Sequence, residues 1–325
     1  IKDVARGAGV SITTVSHALS GGGALKQETR DRIRELDEQM NYMPNRSGQN
    51  LKSVRTGVIG LYVEYIRGFY GQLADFMYGK CRESGYELDV IIASDGRAVL
   101  NNLLSCKVDG AVILHDRLCR QDLEILMKAE MPTVFLDRKA AGRRMSSILF
   151  DSYQTGRMVA EYLYGLGHRK ILLVEGKNTY DGIERSRGFE DCLEEHGILV
   201  AESRRLYGGF DRKEAYQAAK RFLSEGMSLP TAVFAANDDS AIGCIQALHE
   251  AEISVPDQVS VVGCDNIELG QWFLPSLTTV DTGVADMGKA AIEEVVALIE
   301  GKHQGSVTMI PGHLVERASA AARTG

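Results

Sequence analysis

Two hydrophobic rhythms divide this chain. Near the start, apolar positions recur at helical spacing, with Ile12, Val15 and Leu19 in one set and Ile33, Leu36 and Met40 in another. That spacing predicts a helix from Ser11 through Leu19 and a second over 29–40. A short helix through Ala8, capped by Asp3, precedes them. Gly9 suits the positive φ of a tight turn, and Ser11 is placed to cap the helix that follows. Two short helices joined by a glycine turn read as a helix-turn-helix with a third helix packed behind it.

From Thr56 onwards the pattern becomes continuous apolar runs of strand length. They are "GVIGLYV" (57–63), "LDVIIA" (88–93), "GAVIL" (110–114), "TVFLD" (133–137) and "SILFD" (147–151). A second set comprises "KILLVEG" (170–176), "TAVFAAN" (231–237), "VSVVGCD" (259–265) and "LTTVD" (277–281). Amphipathic stretches such as 69–84 and 154–166 separate them. This alternation predicts an α/β fold of parallel sheets covered by helices, and the two sets predict two lobes. Between the rhythms lies "NRSGQNLKSVRT" (45–56), too short and polar to hold a helix alone, with Gly48 costing about 1 kcal/mol relative to alanine. The expected domains are a helix-turn-helix unit over 1–44, a hinge over 45–56, and a two-lobed body over 57–325. Its N-lobe takes about 57–152 and 284–310, and its C-lobe about 153–281 and 312–325.

Charge sharpens this division. The whole chain of 325 residues carries a formal net charge of −7. Residues 1–56 nevertheless hold nine Lys and Arg against six Asp and Glu, leaving −10 for the remainder. A basic head on an acidic body suits a nucleic-acid reader joined to a separate sensing domain, although +3 is also within ordinary surface scatter. No run reaches eighteen apolar residues, so no membrane span is expected, and "IKDVARGAGVS" lacks the apolar core of a signal peptide. The six cysteines are scattered without CxxC pairs or metal-ligand spacing, which points to reduced thiols in the cytoplasm and to no metal or cofactor. No GxGxxG, P-loop or GxSxG motif occurs, and Asp238 and Asp239, adjacent on a helix, diverge too far for an acid–base pair. An enzyme is not expected.

The candidate chemistry falls in two places. At the start of the second helix, where such units meet base edges, Thr13 and His17 share one face, while Ser11, Thr14 and Ser16 offer short hydroxyls to phosphates. In the body, ligands lie outside the carboxyl ends of parallel strands. Asp137, Asp151, Asn237 with Asp238, and Asp265 with Asn266 all follow predicted strands. Arg185 lies in "GIERSRGF", Phe69 and Tyr70 in "RGFYGQL", and Phe210 in "YGGFDRK". Carboxylates, an amide and an arginine among aromatic faces suit a polyhydroxylated ligand. A strand-end aspartate also serves as a helix N-cap, and in "NDDSAIG" Asp238 and Asp239 are the expected caps.

"IKDVARGAGVSITTVSHAL" and "ETRDRIRELDEQMNYMPN" resemble the DNA-binding domain of the lactose repressor/galactose repressor family, and the resemblance continues over essentially the whole chain. It implies that Ile12, Thr13 and His17 read bases. Many members carry arginine at the position of His17, and the purine repressor carries histidine. It also implies that Leu51 wedges into the minor groove from a hinge helix containing Asn45 and Gly48, a glycine where alanine is common. In the body it implies effector contacts from Arg185 and Asp265, stacking by Phe210, cover by Phe69 and Tyr70, and a rim of Asp137, Asp151 and Asn237. Ser152 stands where many members have asparagine, and His168 is expected to hold a helix–strand corner. The implied function is a ligand-controlled repressor of sugar-utilisation genes, acting as a homodimer on a pseudo-palindromic double-stranded operator. The ending "LVERASAAARTG" shows no leucine heptad, so a dimer is the expected assembly. Alternatives are a regulator dependent on a purine or another corepressor and, from another class, a periplasmic-type sugar-binding protein without DNA function.

Overall fold

The computed structural model describes residues 2–20, 25–39, 55–105, 107–136 and 138–323. The sequence-predicted positions Met40, Asn45, Gly48, Leu51 and Asp137 lie outside these residues. The chain divides into two compact units, Ile1–Thr56 and Gly57–Gly325.

The first unit holds three helices, α1 (Lys2–Ala8), α2 (Ile12–Ser20) and α3 (Gln27–Gln39). The first begins at Lys2, so Asp3 lies inside it rather than ahead of it. Gly9, at φ 66°, closes α1 as expected, donating to the Arg6 carbonyl, while Val10 donates to Ala5. Ser11 Oγ accepts the Thr14 N–H at 3.1 Å and so caps α2. Val4, Ala5, Ala8, Val15, Ala18 and Ile33 form the buried core. Ile12 departs from the expected core face. It is the first residue of α2, ahead of the turn that Val15 and Ala18 bury, and it stays 46% exposed.

The second unit begins with β1 (Val58–Val63), α4 (Phe69–Glu83), β2 (Glu87–Ile92), α5 (Gly96–Leu103), β3 (Gly110–Leu114) and α6 (Arg120–Lys128). Next come β4 (Thr133–Phe135), β5 (Met145–Phe150), α7 (Ser152–Gly165), β6 (Ile171–Glu175), α8 (Tyr180–Glu195) and β7 (Arg205–Tyr207). The remainder is α9 (Arg212–Ser224), β8 (Ala232–Ala235), α10 (Asp238–Glu250), β9 (Ser260–Val262), α11 (Glu268–Trp272), β10 (Thr279–Asp281), α12 (Val284–Glu300), β11 (Val307–Ile310) and β12 (His313–Val315).

The strands build two parallel sheets. One has the order β11-β5-β4-β3-β1-β2 and the other β7-β6-β8-β9. Most successive strands in them return through helices and so run parallel, β4 and β5 being joined instead by a segment with no helix among its described residues, and their central strands are apolar because helices cover both faces. In the first lobe, α4 lays Leu73, Met77 and Cys81 on one side of the core while α12 adds Met287, Ala291, Ile292, Val295 and Leu298. In the second, α10 contributes Ala241, Ile242, Ile245 and Leu248.

Two points differ from the expected strands. β10, expected with the parallel set, does meet β9 in parallel at the Val262–Thr278 bridge, and it adds an antiparallel pairing with β12 that the sequence did not foretell. β7, β11 and β12 are only three or four residues long and partly exposed, so they leave no apolar run to read. The chain passes between the lobes three times, at β5 to α7, β10 to α12, and β11 to β12.

Within the second lobe α7 and α8 pack backbone to backbone. A Cβ on Gly156 would overlap the Arg185 carbonyl, and one on Gly188 would overlap that of Tyr153. His168, buried between α7 and β6, donates from Nε2 to the Ala321 carbonyl at 3.1 Å and anchors that corner.

Candidate functional site

In the first unit, α2 presents Thr13 and His17 exposed to solvent with exposed Ile12 beside them. The Ser11 and Thr14 hydroxyls bond to each other at 2.9 Å. With the Thr14 N–H bond to Ser11 Oγ, that contact ties the first turn of α2 together. Ser16 lies within α2.

In the second unit a cleft opens between the carboxyl ends of the two sheets, with about 830 Å³ of space including open solvent. That is room for a metabolite-sized ligand. From the first lobe, β1 delivers Glu64, Tyr65 and Arg67, the start of α4 delivers Phe69 and Tyr70, and β3 delivers Leu114, His115 and Asp116. From the second lobe come Lys177 beyond β6, Thr179, Asp181 and Arg185 at α8, Phe210 before α9, Asn237 and Asp239 after β8, and Asp265 after β9.

The structure therefore gathers Phe69, Tyr70, Arg185, Phe210, Asn237 and Asp265 around one space. Asp151 is not among the lining residues. Its carboxylate accepts the Gln154 N–H at 3.2 Å and caps α7. Asn237, rather than Asp238 or Asp239, caps α10 by accepting the Ser240 N–H, while its amide donates to the Phe210 carbonyl at 3.3 Å. Asp238 is buried instead beneath the cleft, accepting from the Ile267 N–H at 2.9 Å and the Thr279 hydroxyl at 2.6 Å.

Arg185 is the most constrained of these side chains. It is 3% exposed and donates to the Ala236 carbonyl and, at 3.4 Å, to Ser152 Oγ. Its Nε has no partner among the described residues. A buried guanidinium N–H is expensive to leave unsatisfied, and this one belongs to a residue that lines the cleft. Ser152 in turn donates to Asp181 at 2.7 Å, which makes it a support beneath Arg185 and Asp181. The Arg185 Cζ stands 5.9 Å from the centroid of the Phe210 ring.

Backbone strain marks the same place. Phe210 at φ 59° and Asp265 at φ 118° both occupy the region that L-residues avoid. Such positions persist only where surrounding structure enforces them. Burial pushes the Asp265 carboxyl well above the ordinary carboxylate range, against the pull of Arg185 and with the help of Asp238 and Asp239.

The first-lobe wall is aromatic. Phe69 meets Tyr70 edge-on at 5.8 Å and Phe150 at 5.7 Å, and Tyr65 lies 4.4 Å from Tyr70. At its margin Lys177 crosses from the other lobe, reaching Glu64 at 3.1 Å and Asp116 at 2.9 Å. Burial opposes the Asp116 charge, yet its hydrogen-bonded neighbours Glu64 and Lys177 outweigh that and hold the carboxyl below its usual range. Arg67 makes a looser second crossing to Asp211 at 3.6 Å. None of Glu64, His115, Asp116 and Lys177 was singled out from the sequence. Glu64, His115 and Lys177 follow directly on strand runs and Asp116 comes one residue later, so the strand-end rule nominates the positions, while the bridge that gives Lys177 its meaning is set by the fold.

A helix-turn-helix unit followed by a two-lobed ligand-binding body defines a class, that of the DNA-binding transcription regulators with a periplasmic-binding-type domain. Comparison with known proteins agrees. Residues 1–45 match the family described as bacterial regulatory proteins, lacI family, and residues 160–320 match a periplasmic binding protein-like domain. The chain is 32% identical to the HTH-type transcriptional repressor PurR of Vibrio atlanticus, covering 98% of each. It is 30% identical to the HTH-type transcriptional regulator AscG of Escherichia coli, covering 98% of this chain and 97% of the relative. Among solved structures, the lac repressor dimer bound to operator and the anti-inducer ONPF superposes with a TM-score of 0.84 at 28% identity, covering 98% of both chains. A complex of the transcriptional regulator CelR with cellobiose gives 0.75 at 25% identity and the same coverage. The chain belongs to the lacI family of bacterial transcription regulators.

Proposed function

We propose that this protein is a repressor of sugar-utilisation genes whose hold on DNA is set by an uncharged sugar in the interlobe cleft. The observation that carries this reading is Arg185, buried beside Asp265 with its Nε unpartnered and the Phe210 ring alongside. A fixed donor next to a carboxyl group suits neighbouring sugar hydroxyls, each both donor and acceptor, and the ring suits the apolar sugar face. The described lining also holds five carboxyl groups (Glu64, Asp116, Asp181, Asp239 and Asp265) against the cations Arg67, Lys177 and Arg185. That balance disfavours a phosphorylated ligand. The chain acts in this reading as a homodimer, with two copies of α2 in successive major grooves of a pseudo-palindromic operator and Leu51 wedged between them.

A purine is the second reading. It is favoured by His17, the residue the purine repressor carries there, and by the aromatic wall of Phe69, Tyr70 and Phe150. The deciding experiment selects binding sites from random duplex DNA, then tests each compound that raises thermal stability for its effect on that DNA. The panel holds neutral sugars, sugar phosphates and purine bases. A neutral sugar that stabilises the protein and releases DNA supports the proposal. A purine that stabilises it and tightens DNA binding establishes the second reading.

A further inference from the structure

Away from the cleft, on the outer side of the second lobe, three side chains of metal-binding chemistry converge. Glu161 lies on α7, Cys192 in the last turn of α8, and His196 is the residue that ends α8. The Cys192 and His196 positions, four apart, fall on one helical face towards Glu161. The Cys192 thiol is 3.4 Å from Glu161 Oε1, and His196 Nε2 is 3.1 Å from both carboxylate oxygens. One ligand atom from each of the three lies within 4.8 Å of the other two. In a tetrahedral zinc site with bonds of about 2.0–2.3 Å, donor atoms stand about 3.3–3.7 Å apart. The cluster is therefore already close to the spacing that a metal imposes.

The surroundings hold it there. Tyr164 stacks on the His196 ring at 3.9 Å with an angle of 12°, and Arg169 covers the far face of Tyr164 at 3.7 Å. The neighbouring acid Glu195 is occupied by a two-pronged pair with Arg157 at 2.6 and 2.8 Å. Cys192 is fully buried, whereas Glu161 is exposed and His196 half-buried, so the cluster has a closed floor and an open mouth.

We propose that Glu161, Cys192 and His196 form a binding site for a zinc-class divalent cation, with water as the fourth ligand. Binding replaces the thiol proton, which leaves to solvent, by a sulfur–metal bond; the proton that His196 Nε2 shares with Glu161 passes through solvent to Nδ1, which frees the Nε2 lone pair, and the Glu161 carboxylate contributes its own. The bound ion clamps the far ends of α7 and α8. Arg185 lies seven residues before Cys192 on α8, about 10 Å along the helix. This cation would thus brace the helix that carries the cleft arginine. The inference does not depend on which effector the cleft takes.

The test titrates the full chain with cobalt(II) chloride and follows its absorption spectrum. The expected result is a thiolate-to-cobalt charge-transfer band saturating at one equivalent per chain and removed by zinc chloride. Cys192→Ser abolishes the band, and His196→Asn and Glu161→Gln each weaken cobalt binding by more than about tenfold. Zinc also raises the thermal midpoint of the wild type and leaves that of Cys192→Ser unmoved. Absence of the band, or a band of full intensity in Cys192→Ser, overturns the proposal. If Cys192→Ser does not fold, undiminished cobalt affinity in both His196→Asn and Glu161→Gln overturns it equally.

Discussion

Lys177 of one lobe stands between Glu64 and Asp116 of the other, its Nζ 3.1 and 2.9 Å from their carboxylates. All three side chains are less than a third exposed, so solvent screens these bonds only in part. The trio latches the cleft without any ligand, and closing on a ligand starts from a state already biased towards closure.

Replacing Lys177 with Met should therefore open the cleft. With each bond worth about 1 kcal/mol, the loss is about 1–2 kcal/mol, enough to shift the balance between open and closed lobes by roughly 5- to 30-fold. Small-angle scattering of the unliganded variant should show a larger radius of gyration than the wild type. An unchanged profile would mean that the three chain crossings alone set the lobe angle.

Asp265→Asn separates stability from response. Burial holds the Asp265 carboxyl well above the ordinary carboxylate range, so the neutral amide should leave the thermal midpoint without ligand nearly unchanged. The same change replaces a carboxyl group by an amide with different donors and acceptors, costs a hydrogen bond worth about 0.5–1.5 kcal/mol, and should weaken the stabilising sugar by roughly 2- to 13-fold. Calorimetry with the best compound from the panel measures the second effect. A variant that binds it as well as the wild type would move the sugar away from Asp265.

Asp238 gives a pH prediction with a definite sign. Burial pushes its carboxyl up to about 6, against the hydrogen bonds from Thr279 and Ile267. The folded protein thus holds this proton more tightly than the unfolded chain, and the group destabilises the fold most above pH 6. The cost, about 3 kcal/mol, is recovered as pH falls from 6 towards 4. Buried His168, whose ordinary value is lowered by desolvation, works in the opposite direction below about 6.5, so wild-type stability alone mixes the two. The clean measurement is the stability of Asp238→Asn minus that of the wild type, which should shrink by about 2 kcal/mol between pH 7.5 and 4.5. A difference that stays constant over this range would show that Asp238 is ionised throughout.

In the first unit, His17→Arg should shift the selected DNA consensus towards guanine at one position of each half-site, because arginine makes a two-pronged bond where histidine makes one. Ser11→Ala should lower the stability of the same unit by about 1 kcal/mol through the lost cap on Thr14. An unchanged consensus in the first variant would remove His17 from base reading.

Leu51→Ala tests the wedge. Specific DNA binding should fall much further than binding to random duplex, since a kink formed by an apolar side chain contributes only on a deformable site. Equal losses on both would end that role.

The strands that sequence reading found are those whose runs are apolar throughout, such as Val58–Val63 and Ala232–Ala235, where burial on both faces leaves no polar position. Strands carried by partners rather than by their own hydrophobicity, such as Arg205–Tyr207, stayed hidden. In the cleft, Arg185, Phe210 and Asp265 were legible from motif resemblance. Lys177 was not, because a lysine beyond a strand becomes informative only when Glu64 and Asp116, 113 and 61 residues away, are seen beside it. Asp238 was legible as important but in the wrong role, since its carboxylate turns inward to Thr279 and leaves the cap to Asn237.

The glycine contact between α7 and α8 has a mechanical meaning. With Gly156 against the Arg185 carbonyl and Gly188 against that of Tyr153, neither helix has side-chain slack to slide on the other. A pull on Arg185 is not absorbed locally. It turns the pair as one stiff plate, and the motion has to emerge where the chain is thinnest, at the three crossings between lobes.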